Sequence, residues 1–172
     1  MTDPVRHLVF MGVSGSGKTT AAHAVNERLH WEFAEGDDFH SEESVAKMAA
    51  GHPLTDADRM PWLGRLAAWT REHDRAGQPT IMTCSALRRT YRDVLRTGAA
   101  HTCFVHLTGD KGLLLERMSG REHFMPPTLL ESQLATLEPL GDDEAGFDVD
   151  VDQTLGAIAD EVLRRLDTAG GS

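Results

Sequence analysis

Gly12-Val13-Ser14-Gly15-Ser16-Gly17-Lys18-Thr19 is the stretch that decides the fold. It matches GxxxxGK[ST] in full, and it sits between an apolar run, His7 to Met11 (HLVFM), and a helical pattern from Lys18 to Leu29. That strand–turn–helix setting separates a phosphate-binding loop from a chance glycine-rich turn. Gly12, Gly15 and Gly17 permit backbone conformations closed to residues with a Cβ, so successive N–H groups, with those of Ser14 and Ser16 among them, can converge on phosphate oxygens. The helix that follows adds the positive end of its dipole. Lys18 is expected to reach the β- and γ-phosphates, the Thr19 hydroxyl to bind Mg²⁺, and Thr20 to join the nucleotide contacts. ATP and Mg²⁺ are therefore the expected cofactors.

Outward from this loop, short apolar runs alternate with longer helical ones, the pattern of a parallel sheet wrapped by helices. Strands are predicted at Trp31–Ala34, Thr80–Cys84 (TIMTC), Thr102–Leu107 (TCFVHL) and, weakly, at Phe147, Val149 and Val151. Helices are predicted over Ser41–Ala50, from Pro61 onward, over Leu87–Arg96 and Lys111–Met118, from Pro126 or Pro127 through Leu137, and over Thr154–Leu166. Pro61 is read as a helix start because proline costs no hydrogen bond there. The expectation is one three-layer α/β domain over residues 1–172, with no repeat, linker or low-complexity block.

Composition narrows the function. The formal net charge is −10, so an anionic ligand must be held by local groups rather than by the overall field, and nucleic acid and anionic membranes are not expected partners. Cys84 and Cys103 lie in apolar stretches without metal-ligand spacing and are read as reduced, buried thiols. The first residues lack the plan of a signal peptide, and no run approaches membrane-spanning length. A cytoplasmic location is the expectation.

The chain is short, lacks the NKxD guanine signature and gathers arginines at 117 and 121, where a closing lid would sit. These features favour a small-molecule kinase over a GTPase or motor. Glu35-Gly36-Asp37-Asp38-Phe39-His40 follows the second strand, whose carboxyl end faces the ligand crevice of an open α/β sheet. A carboxylate there can accept the proton of an attacking hydroxyl, or hold metal-bound water. Against this stands a merely solvated acidic loop, and for His40 simple exposure. Asp58-Arg59 can clasp a polyol or carboxylate, or form a salt bridge at a helix entry. Ser85 and Ala86 are small enough to let a ligand approach the strand end, and Arg88 offers a bidentate contact to a carboxylate. In Arg117–Phe124, Arg121 suits the lid role, where charge is balanced once water is excluded, and Arg117 suits adenine or the α- and β-phosphates.

The blocks MGVSGSGKTT (11–20), GDDFHSEESVAKMAAGHPLTDADRMPWL (36–63), CSALRRTYRD (84–93) and REHFMPPTLLESQLATLEPL (121–140) resemble the gluconokinases of the shikimate-kinase-like P-loop group, over nearly the whole chain. The resemblance implies a five-stranded parallel sheet of order 2-3-1-4-5, a substrate-binding helical region at about 38–78, a small lid at about 119–128, and a homodimer. It implies phosphorylation of D-gluconate to 6-phosphogluconate. It makes Lys18, Asp37 and Arg121 catalytic candidates, and His40, Asp58, Arg59, Ser85 and Arg88 substrate contacts. His123 and Gln133, which have no independent chemical argument, join that set. The turn at Val151-Asp152-Gln153 resembles the loop that borders adenine. Glu35 stands where many members carry Asp, and Ser41 where many carry Pro. The same chemistry on another sugar acid, or a nucleotide sensor without turnover, are the rival readings.

Overall fold

The structure, a computed structural model, describes residues 5–119 and 127–170. Five parallel strands form one sheet in the order β2-β3-β1-β4-β5. They are β1 (His7–Met11), β2 (Glu32–Glu35), β3 (Thr80–Thr83), β4 (Thr102–Thr108) and β5 (Gly146–Asp150). This is the order the resemblance implied. β1 is central, in register with β3 from His7↔Thr80 and with β4 from His7↔Thr102. All five of its residues are buried, as expected of a strand covered on both faces.

Alternate β1 side chains serve opposite layers, the period of two that a strand imposes. Leu8 and Phe10 pack with Ala21, Ala22 and Val25 of α1 (Lys18–Leu29) and with Ile158, Ala159 and Val162 of α7 (Leu155–Gly170). Val9 and Met11 pack with Trp62, Leu63 and Leu66 of α3 (Asp56–Arg75) and with Tyr91 and Leu95 of α4 (Arg89–Arg96). Leu63 and Leu66 are fully buried, and truncating such a side chain typically costs about 2–5 kcal/mol. The remaining helices are α2 (Glu42–Ala49), α5 (Lys111–Ser119) and α6 (Pro127–Thr136). Ser41 caps α2 by accepting from the Ser44 N–H. Cys84 and Cys103 are buried free thiols, and burial pushes them up to about 12 and about 11 respectively. No helix among the described residues is long and apolar enough to cross a membrane.

One sequence-based boundary is corrected. α3 begins at Asp56, five residues before Pro61, and Pro61 lies inside it. Thr55 and Asp58 form a reciprocal capping box, the Thr55 hydroxyl accepting from the Asp58 N–H and the Asp58 carboxylate from the Thr55 N–H. This start satisfies backbone donors that a start at Pro61 would leave to solvent. Proline removes the rung to the Ala57 carbonyl, and the burial of Trp62, Leu63 and Leu66 on the same helix outweighs that loss.

Two histidines are built into the sheet. His7 is 1% exposed, its Nδ1 2.8 Å from the Thr80 hydroxyl and its Nε2 2.8 Å from Asp74. His106 Nδ1 lies 3.0 Å from Asp148. Burial lowers both pKa values below 6.5, against the opposing pull of Asp74 and Asp148. The unfolded chain then binds protons that the folded chain refuses, so this stability is whole above about pH 6.5 and shrinks as pH falls toward the folded values. The unfolding midpoint is expected to drop between pH 7.5 and 5.5 in a denaturant titration; a level midpoint over that interval contradicts the assignment.

Candidate active site

Three strand ends meet at the carboxyl edge of the sheet, and each carries a piece of the site. From β1 comes the glycine-rich loop. Gly12 has φ 145°, and a Cβ there would stand 2.8 Å from the Leu107 carbonyl of β4. Its N–H donates to the Ser85 carbonyl beyond β3 at 3.2 Å. The loop thus leaves β1 through a gap that only glycine fits. The Ser16 hydroxyl donates to the Val13 carbonyl at 2.7 Å, and Lys18 Nζ lies 3.0 Å from the Gly12 carbonyl, curled over the loop. Gly17 takes the left-handed cap position, φ 85°, that turns the chain into α1.

Beside the loop lies a pocket of about 350 Å³. Gly15, Ser16, Gly17 and Thr20 line one side, and Glu116, Arg117, Gln153, Leu155 and Ile158 another. Arg117 is held by the Val151 carbonyl at 2.8 Å, and Gln153 by the Asp150 carbonyl at 2.7 Å. Of the residues expected to hold nucleotide, Arg117 and Gln153 therefore share a pocket with the loop. Asp152 stands exposed in the same turn, outside the pocket lining. Glu116, Leu155 and Ile158 are not legible from sequence, since helix periodicity marks them only as ordinary helix positions.

From β2 comes Glu35, which accepts from the Thr19 hydroxyl at 2.9 Å and from the Thr83 hydroxyl at 2.8 Å. Next in the chain, Gly36–Phe39 form a short 3₁₀ turn. The turn is pinned by Trp62, whose indole N–H donates to the Gly36 carbonyl at 2.8 Å, and by Arg65 on the Phe39 carbonyl at 2.9 Å. Asp37 projects from it with its side chain 83% exposed. His40 stacks on Trp62 at 4.1 Å with its side chain only 7% exposed, Nε2 3.9 Å from Asp37. Burial lowers its pKa, with Asp37 opposing. Its buried Nδ1 has no hydrogen-bond partner among the described residues.

From β3 comes the turn through Ser85, Ala86, Leu87 and Arg88. Ala86 has φ 47°, a left-handed conformation unusual for alanine. Arg88 is the exposed N-cap residue of α4. Arg59 of α3 donates to the Tyr91 hydroxyl at 3.2 Å, lies 5.5 Å from the Tyr91 ring centre, and sits 3.9 Å from Asp56. Tyr91 in turn donates to Asp56 at 2.5 Å.

Two expected substrate contacts are engaged elsewhere. Asp58 Oδ2 takes Lys47 at 2.6 Å and the Thr55 N–H at 2.8 Å, and these partners hold its carboxyl at about 2. The Gln133 amide oxygen accepts from the Ser14 N–H at 2.6 Å, on the phosphate cradle. Arg121 and His123 lie outside the described residues. Sequence reasoning misses Arg92 and Glu144, which meet as a buried pair behind the β3 turn. Tyr91 and Arg92 stand inside the CSALRRTYRD block, which is the available signal.

A family model described as AAA domain matches residues 8–140, which defines the class as a P-loop nucleotide-binding protein. A gluconokinase of Gluconobacter oxydans is 49% identical over 94% of this chain and 91% of its own. Two crystal structures superpose closely. One is a sugar kinase from Janibacter sp. (54% identity, TM-score 0.90, 97% of each chain), the other a gluconokinase from Sinorhizobium meliloti (42%, TM-score 0.86, 98% of this chain and 95% of that one). The chain belongs to the gluconokinase family.

A Cβ at Gly36 would lie 2.1 Å from the Thr83 carbonyl, inside paired backbone that cannot yield. Gly36→Ala is expected to cost about 2 kcal/mol or more and to disturb the Asp37 turn. Chemical denaturation checks it, and an unchanged midpoint refutes the packing described.

Proposed function

We propose that the protein phosphorylates D-gluconate at the expense of ATP, giving 6-phospho-D-gluconate. The observation that carries this is the 49% identity to a gluconokinase over 94% of the chain. The geometry supports it from two sides. A phosphate loop with an adjoining pocket suits a nucleoside triphosphate, and a carboxylate, a buried histidine and arginines gather on the facing edge.

In this reading the terminal hydroxyl of gluconate attacks the γ-phosphorus in line, the bond to the β–γ bridging oxygen breaks, and ADP leaves. Asp37, exposed on its pinned turn, guides the proton of that hydroxyl. N–H groups of the loop at Gly15, Gly17, Lys18 and Thr19, together with the Lys18 ammonium, hold the transferred phosphoryl, and Arg121 balances its charge as the lid closes. The Ser14 and Ser16 N–H groups are engaged by Gln133 and Val13. His40, packed on Trp62 beside Asp37, contacts an acceptor hydroxyl, and Arg59 or Arg88 holds the far carboxylate, which fixes the hydroxyl presented. The Arg59–Tyr91–Asp56 chain pre-orients that guanidinium.

The Thr19 hydroxyl and the Glu35 carboxylate lie side by side, a pair of hard oxygen donors. Such a pair suits Mg²⁺, which usually takes one or two protein ligands together with waters and phosphate oxygens. Bound there, the ion would neutralise phosphate charge. Glu35 reaches this position from the β2 end in place of a shorter aspartate. The reading extends to a substrate-binding region at about 38–78 and a lid at about 119–128. It also includes a homodimer, which the family resemblance implies, and a cytoplasmic location, which the first residues' lack of a signal-peptide plan suggests.

The test is a coupled ADP-release assay with Mg-ATP, offering gluconate beside shikimate and other sugar acids. Gluconate-dependent turnover is expected; release with another acceptor alone overturns the substrate, and ATP binding without turnover turns the reading to a sensor. Lys18→Ala should abolish turnover, and near-normal kcat would remove its role. Arg121→Ala should lower kcat far more than ATP affinity, whereas a pure affinity defect would take it out of the lid.

A further inference from the structure

The buried ion pair behind the acceptor edge has no part in the chemistry above. Arg92 is 0% exposed, and its guanidinium is fully used. Nε donates to Glu144 Oε1 at 2.8 Å and Nη2 to Glu144 Oε2 at 3.1 Å, a bidentate fork. Nη1 donates to the Ala86 carbonyl at 2.8 Å and reaches the Leu87 carbonyl at 3.4 Å, and Nη2 also reaches the Pro139 carbonyl at 3.3 Å. Glu144 is fixed in turn by the Gly141 N–H at 2.8 Å and by Arg96 at 2.9 Å. Burial works against its charge, yet Arg92, Gly141 and Arg96 hold its carboxyl down at about 2.

What this fork grips is the turn that bears Arg88. Three consecutive carbonyls of that turn are occupied: Ser85 by the Gly12 N–H at 3.2 Å, Ala86 by Arg92, and Leu87 by the Glu138 N–H at 2.7 Å as well as Arg92. Between them Ala86 is held at φ 47°. Such a conformation persists in a non-glycine residue only when its surroundings over-determine it, and it concentrates at functional sites. A buried ion pair adds little to stability over an apolar pair of the same volume, so stability alone is a weak reason for this one. Its geometry has a different product. It fixes the backbone direction at the N-cap of α4, and so the arc from which Arg88 reaches the crevice. The same turn is bonded to the first residue of the phosphate loop, which sets the distance between acceptor and phosphoryl ends.

We propose that Arg92, anchored by Glu144, is a positioning residue for the acceptor: it holds the Ser85–Arg88 turn so that Arg88 meets the carboxylate of a sugar acid. The inference rests on the acceptor reading of Arg88. Lysine carries one point charge and cannot span a carboxylate and two carbonyls together, so Arg92→Lys keeps the charge and removes the grip.

The test is a double-mutant cycle of Arg88→Ala and Arg92→Lys, with gluconate varied at saturating Mg-ATP. Nucleotide binding is measured separately without acceptor. Arg92→Lys is expected to raise the gluconate KM about tenfold while ATP affinity stays within twofold. In the Arg88→Ala background it should add almost nothing, because both changes remove one interaction. Glu144→Gln, which loosens the anchor without changing shape, should move KM in the same direction, and it replaces Arg92→Lys in the cycle if that variant does not fold. Fully additive effects, an unchanged KM, or equal losses for nucleotide and acceptor overturn the positioning role. A silent Arg88→Ala overturns the proposal together with the acceptor reading. Wild-type protein without gluconate-dependent turnover refutes the substrate first, and the cycle is then run on the acceptor that does turn over.

Discussion

Everything in this molecule hangs on the way β1 ends. Its last residues run between β3 and β4, and Gly12 must leave through a space bounded by the Ser85 and Leu107 carbonyls. A hydrogen bond to one side and the absence of a side chain toward the other give the loop its starting direction. Lys18 and the N-terminus of α1 then follow as a matter of chain geometry. Because the strands are parallel, their carboxyl ends share one edge, and ligands bind there. The Thr19–Glu35–Thr83 bonds close the same edge laterally across β2, β3 and α1. The nucleotide side and the acceptor side are thereby parts of one backbone construction.

Around that edge the protein solves two problems in different ways. On the nucleotide side, fixed donors are supplied mostly by backbone, with Arg117 and Gln153 braced on carbonyls of the β5–α7 turn. On the side we propose for the acceptor, side chains supply the polar groups, and each is braced by another. Trp62 holds the Gly36 carbonyl and lies under His40, Tyr91 holds Arg59, and Arg92 holds the turn before α4. A polyol has no π-system or large apolar face to bury, so its recognition depends on donors and acceptors whose positions are settled beforehand.

The phosphate loop, both layers and the strand order are readable because their signals are local or belong to whole motif blocks. The loop needs eight consecutive residues, and the layers need only periodicity. The helix entry at Thr55 escapes a sequence reading because Pro61 is a strong punctuation mark, while the T-x-x-D box before it is quieter and carries the caps. Asp58 stands out in the sequence as polar and site-adjacent, whereas its ion-pair partner Lys47 is visible only once α2 and α3 are packed. Arg92 and Glu144 lie on different elements far apart in the chain, and no spacing rule joins them. Gln133 comes forward through family resemblance alone, and its bond to the Ser14 N–H belongs to tertiary structure.

The position of β1 also governs how the chain must be assembled. The strand at the centre of the sheet is the first to be synthesised, yet its neighbours begin at Thr80 and Thr102. Until those segments emerge from the ribosome, HLVFM is an apolar strand with two open edges and no partner. Only β2 precedes them, and it pairs with β3 rather than with β1. A nascent chain of this design therefore carries an apolar strand without partners until β3 and β4 are made, and closes its long loops late. The central placement that surrounds the start of the phosphate loop with paired strands in the finished protein is thus the same placement that leaves β1 to wait longest for its neighbours.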